Sequence, residues 1–190
     1  MKKFWFAVAA ALAFGISGTA NALIVTSPNV PVQIQDSTTV TSTLNVTSNF
    51  TISDVNVLIN NLTHTFDRDL FINISHGSTT VNLFNRQGGS GDNLISTIFD
   101  DEAAAAILSG SAPFSISYRP EQLLSAFDGQ DAFGVWTLTV ADLAPGDSGS
   151  INSWSIDITG QSQNVPEPAS LVLVGLGIAG LAAARRRNIV

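Results

Sequence analysis

The chain has 190 residues, no cysteine, and eight basic against fifteen acidic side chains, a formal net charge of −7. Without cysteine it has no disulfides and no thiolate metal sites, and an acidic surface with no basic patch excludes binding to the nucleic-acid backbone. Five of the eight cationic side chains (Lys2, Lys3, Arg185, Arg186, Arg187) stand at the two ends, so residues 23–164 carry Arg68, Arg86 and Arg119 against fourteen carboxylates, a net charge of −11.

In chain order the first feature is a basic start, Lys2-Lys3, followed by an apolar run from residue 4 to about 18 and the box Ala20-Asn21-Ala22. These are the three regions of a secretory signal peptide over residues 1–22, which directs export by the Sec route and leaves Leu23 at the mature amino terminus. No cysteine follows the box, which argues against a lipoprotein. The alternative is an amino-terminal anchor, against which the A-x-A box argues.

Residues 23–160 are long enough for one domain with a real core. Apolar residues alternate through them: Val30, Val32 and Ile34; Val40, Leu44 and Val46; Phe50 and Ile52; then, with changed parity, Val55, Val57 and Ile59. The parity change predicts a β-bulge near Ser53 and Asp54. Leu70, Ile72 and Ile74, then Val81 and Leu83, then Phe114 and Ile116 continue the period of two. Trp136, Leu138 and Val140 precede a turn at residues 144–149, after which Trp154, Ile156 and Ile158 resume the pattern. Many short strands separated by Gly, Asn, Asp and Pro predict an all-β sandwich. One short helix is predicted over residues 101–108, with Asp100 as its N-cap.

Residues 161–164 read as a polar linker. Beyond it stand Pro166-Glu167-Pro168, an apolar run over 171–184, and Arg185-Arg186-Arg187. Residues 169–184 would span roughly 24 Å as a helix at ~1.5 Å per residue, slightly short for a bilayer. The arginines would stay cytoplasmic and leave everything before Pro166 outside. An ordinary membrane anchor needs only the apolar run and the charges. The added Pro-Glu-Pro makes residues 165 to about 187, within a terminal segment 165–190, resemble the PEP-CTERM sorting signal of Gram-negative bacteria. That resemblance implies Pro166, Glu167 and Pro168 as the residues recognised by an exosortase, and a host that makes exopolysaccharide. The chain would be anchored transiently in the inner membrane, then placed on the outer surface or in the extracellular matrix.

A second resemblance covers residues 28–160. Asn61-Leu62-Thr63-His64-Thr65, Asp69-Leu70, Tyr118-Arg119-Pro120-Glu121, 124–129 (Leu-Ser-Ala-Phe-Asp-Gly), 134–142 (Gly-Val-Trp-Thr-Leu-Thr-Val-Ala-Asp), 146–149 (Gly-Asp-Ser-Gly) and Ser153-Trp154-Ser155-Ile156 resemble the P (Homo B) domain of proprotein convertases. The resemblance implies a jelly-roll-like β-sandwich that stabilises a neighbouring subtilisin-like domain. The family's proline-containing turn is here Ser75-His76-Gly77-Ser78-Thr79, without proline. No catalytic domain is expected in this chain.

Gly146-Asp147-Ser148-Gly149 copies a serine-protease nucleophile motif, and His64 precedes it. The tetrapeptide lies between two strong strands, where it reads as a hairpin turn. His64 is expected to pack or hydrogen-bond at a strand end, and His76 to be a turn residue. Gly175-Leu176-Gly177-Ile178-Ala179-Gly180 spells a dinucleotide fingerprint, but no second strand and no ribose-binding acid are expected after it. The remaining chemistry is carboxylate. Asp67 and Asp69 flank Arg68, and Asp92 sits in a glycine-rich loop. Asp100, Asp101, Asp142 and Asp147 are the candidate ligands of a Ca²⁺ ion, which takes six to eight oxygens. The other reading of the same residues is a solvated acidic rim. The expected molecule is an exported, non-enzymatic module that binds exopolysaccharide or a surface protein. The alternative is an accessory domain acting in trans on a subtilisin-like protease.

Overall fold

The computed structural model describes residues 20–161, together with residues 175–178 and 185. Ten strands form: β1 (Ala20–Thr26), β2 (Val32–Ile34), β3 (Thr39–Val46), β4 (Thr51–His64), β5 (Leu70–His76), β6 (Thr79–Asn85), β7 (Leu94–Phe99), β8 (Ser117–Tyr118), β9 (Gly134–Asp142) and β10 (Gly149–Gln161). One sheet has the order β1-β10-β4-β7-β8 with β2 also paired to β10; the other has the order β3-β9-β5-β6. The chain changes sheet between β2 and β3 and at most later connections, which wraps it around the core as in a jelly roll. The expected β-sandwich is therefore the observed fold.

The alternation of apolar residues is what builds the core. Ile72, Ile74, Leu138 and Val140 face inward from one sheet, and Val55, Val57, Ile59, Ile156 and Ile158 from the other, all buried. Both tryptophans at the centre are fully buried, and each indole N–H has an acceptor. Trp154 Nε1 on β10 donates to Ser42 Oγ on β3 at 2.7 Å, a hydrogen bond that joins the two sheets. The predicted bulge is present: Thr159 pairs with Asp54 and Gly160 with Ile52, so Ser53 is the extra residue.

Four expectations need correction. The helix over 101–108 is reduced to one 3-10 turn at Ile107–Ser109. Its backbone is used across the chain instead: Ile107 N–H donates to Arg119 O, and Arg119 N–H to Ala105 O. Those bonds, with Ile107 fully buried, outweigh the helix preference of the alanine run. The turn before β10 is not a hairpin, because β9 and β10 lie in different sheets and the loop crosses the end of the sandwich. The strand at Phe114 and Ile116 is a single bridge to Leu94 followed by the two-residue β8. His76 ends β5 and is buried, its ring stacked on Trp136 at 4.3 Å.

Among the described residues no helix is long and apolar enough to cross a membrane. Residues 175–178 are helical. The rest of the expected span, the signal-peptide residues before Ala20, and Pro166, Glu167, Pro168, Arg186 and Arg187 lie outside the described residues.

Candidate functional site

Strand β4 measures the sandwich from end to end. Asp54 and His64 are ten residues apart on it, about 30 Å at ~3.3 Å per residue. Each end gathers carboxylates, and the four expected Ca²⁺ ligands divide between them. Asp142 and Asp147 lie at the His64 end; Asp100 and Asp101 lie at the Asp54 end. They do not make one coordination sphere. Among the described residues no group of three or more His, Asp or Glu side chains is placed to hold a metal ion.

At the first end β4 finishes at His64, which is buried, as expected of a strand-end histidine. Its Nδ1 lies 3.0 Å from Phe66 O, and its Nε2 faces Asp142 Oδ2 at 3.4 Å without a hydrogen bond. Asp142 Oδ1 also accepts from Ala144 N–H, which turns the chain out of β9. Asp147 accepts from Thr65 Oγ1 at 2.7 Å, tying the crossing loop to β4. Ser148 is exposed in that loop while both ring nitrogens of His64 are directed into the fold. The protease-like tetrapeptide is thus not part of an assembled Ser-His-Asp triad.

Beside this pair lies a residue that the carboxylate inventory included without singling out. Asp67 opens a 3-10 turn and is completely buried. Its Oδ1 accepts from Asn93 N–H at 2.9 Å, and its own N–H donates to Gly91 O. Asn93 Oδ1 in turn accepts from His64 N–H. The loop that covers Asp67 turns tightly: Arg86, Gly88, Gly89 and Asn93 all have positive φ. A Cβ on Gly88 would meet the Phe114 ring at 2.8 Å, so the loop closes this tightly only with glycine there. Asp67 Oδ2 has no hydrogen-bond partner. Burial pushes the Asp67 carboxyl up to about 7; the Asn93 N–H opposes this and the charge of Asp92 adds to it. Sequence alone could not single it out, because its isolation arises from a loop more than twenty residues later.

At the second end Asp101 grips the 3-10 turn Leu124–Phe127, accepting from Leu124 N–H and Ser125 N–H, each at 2.8 Å. Asp100 Oδ1 accepts from Glu102 N–H, the cap-like bond expected of it, though the chain then turns rather than forming a helix. Asp54 and Asp128 face the same cluster. Partial burial raises the carboxyl of each, and the charges of Asp100 and Asp101 raise Asp54 further; Asp101 does the same to Asp128. Three of the four expected ligands, Asp100, Asp101 and Asp142, are therefore already engaged by backbone N–H groups.

Comparison with known proteins adds two matched patterns. The proprotein convertase P-domain matches residues 52–158, and the PEP-CTERM protein-sorting motif matches residues 164–187. Leupeptin-inactivating enzyme 1 of Streptomyces exfoliatus is 34% identical over 97 residues, which is 50% of this chain and 16% of that protein. The crystal structure of the Aeromonas sobria serine protease in complex with its chaperone superposes with a TM-score of 0.51 at 20% identity. That match covers 76% of this chain and 28% of the matched chain. A second structure of the Aeromonas sobria protease gives a TM-score of 0.48 at 19% identity, over 75% of this chain and 27% of that one. The chain thus spans about a sixth and about a quarter of the proteins it matches.

Proposed function

Because the chain belongs to the proprotein convertase P-domain family, we propose that it is an exported, non-catalytic P-domain module. In this reading an exosortase sorts it to the cell surface or the exopolysaccharide matrix, where its role is binding or structural. The observation that carries the reading is the order of the two matched patterns. A P-domain sandwich ends at Gln161, and the sorting motif begins at residue 164. The motif implies export, sorting at the cell envelope and processing by an exosortase. A domain of net charge −11 meets an acidic polymer only through bridging divalent cations, so Ca²⁺ is the ion this role calls for.

A second reading rests on the company the fold keeps. The Aeromonas sobria protein is a serine protease in which a comparable sandwich forms part of a longer chain. The present module would then stabilise a separate subtilisin-like protease in trans. A tagged protein expressed in its host with and without the exosortase tests the first reading. Loss of the enzyme should leave the protein in the inner membrane with its tail intact; unchanged tail and location would overturn the assignment. Pull-down with and without a chelator separates the readings: chelator-sensitive glycan supports the first, and a co-purifying serine protease the second.

A further inference from the structure

The two ends of the described fold leave it at one point. β1 pairs antiparallel with β10, from Ala20 opposite Gln161 to Thr26 opposite Ser155. Facing Cα atoms in such a ladder are about 5 Å apart. The expected signal-peptidase box, Ala20-Asn21-Ala22, fills the first three positions, opposite Gln161, Gly160 and Thr159. On its other side β10 is held by β4, with Thr51 opposite Gln161 and Ile52 opposite Gly160. Cleavage after Ala22 would remove three residues of β1 and leave Leu23 to Thr26 on Ile158 to Ser155. Thr159, Gly160 and Gln161 would then keep β4 on one side and lose their neighbour on the other. On that side Gly160, the residue opposite Asn21, turns its N–H and C=O outward, and an open edge of this kind is a template for an added strand. In sequence the sorting motif begins three residues after Gln161.

We propose that the edge of β10 opened by signal-peptide removal, at residues 159–161, is the docking strand for the sorting peptidase, which pairs with it by strand addition on its way to Pro166-Glu167-Pro168. The proposal rests on the sorting assignment above. Strand addition takes affinity from main-chain hydrogen bonds and asks little of side chains, which suits an edge whose exposed residue is a glycine. Pro166 and Pro168 lack the N–H a ladder needs, so the added ladder ends before them and marks off the recognition residues. Processing then has an order: while Ala20, Asn21 and Ala22 remain in the sheet, the site next to the motif is filled by the chain itself.

The test uses the full chain with its exosortase co-expressed. In the variant, a new cleavage box precedes residue 18, and Ala20→Val with Ala22→Val abolishes the original one. This protein is exported with β1 whole. Mass spectrometry reads both termini over time. Tail removal at least tenfold slower in the variant is the expected result, and equal rates would overturn the proposal. Hydrogen exchange on the two purified domains gives the second reading. The amide of Gly160, which faces Asn21 across the ladder, should exchange at least tenfold faster in the form starting at Leu23, and equal protection would also overturn the proposal. An uncut wild-type tail in the presence of the enzyme would instead bring down the sorting assignment itself.

Discussion

Asp67 is an acid with no place for its charge. No arginine or histidine among the described residues pairs with it, and one of its oxygens is unmet. The native state therefore holds its proton more tightly than the unfolded chain does, about 7 against an ordinary 3.8. The sign follows from linkage. The contribution is fully present below pH 3.8 and is lost as pH rises toward 7, at no more than about 1.4 kcal/mol per pH unit for one proton. Asp54 and Asp128 are shifted the same way and add to the trend. Asp67→Asn keeps the bond from Asn93 N–H and removes the charge. It should raise Tm by several degrees at pH 8, change it little at pH 4.5, and flatten the profile between. A variant with the wild-type slope would show that Asp67 is not the group that titrates. His76 is likewise placed by its surroundings: its ring nitrogens lie 3.1 Å from Val135 O and 2.8 Å from Asp131 O, and its ring stacks on Trp136.

At the scale of the element, close strand packing depends on two glycines of β10. A Cβ on Gly149 would run into Thr63 O, and one on Gly160 into Thr51 O and the Phe50 ring. Both obstacles begin with backbone of β4, which cannot move without breaking the ladder. Gly149→Ala should therefore lower stability by about 1–3 kcal/mol in urea unfolding, as overpacking does. Gly175→Ala, in open space, should change nothing measurable by the same assay. Equal effects would mean that β4 and β10 are less tightly apposed than described. Elements also show where the sequence pattern is incomplete. The alternation does not reveal β7, because Ser96 adopts φ 56° and breaks the pattern between buried Leu94 and buried Thr97. It does not reveal β1 either, because the first residues of that strand read as a cleavage site.

For the whole molecule the governing quantity is charge. Fourteen carboxylates against three arginines repel one another across the domain at neutral pH. Screening should raise Tm in sodium chloride, and Ca²⁺ should raise it further at matched ionic strength if cations are bound rather than only screening. Thermal melts of the exported domain in the two salts measure this. Equal shifts would remove Ca²⁺ from the proposed function and leave the acidic ends as solvated rims.

The sequence by itself determined the β-sandwich, its bulge at Ser53, the P-domain family and the sorting motif. Each of these is written in local order: a period of two, a parity change, or a run of matching residues. Only the tertiary structure decided the rest. It carried the loop after β9 from one sheet to the other, spent the backbone of residues 105–107 on Arg119, and sent the four candidate calcium ligands to opposite ends. It also buried Asp67 beneath a distant loop and brought Ala20 beside Gln161. These depend on which distant segments meet, and strand periodicity specifies a face without naming the partner that covers it.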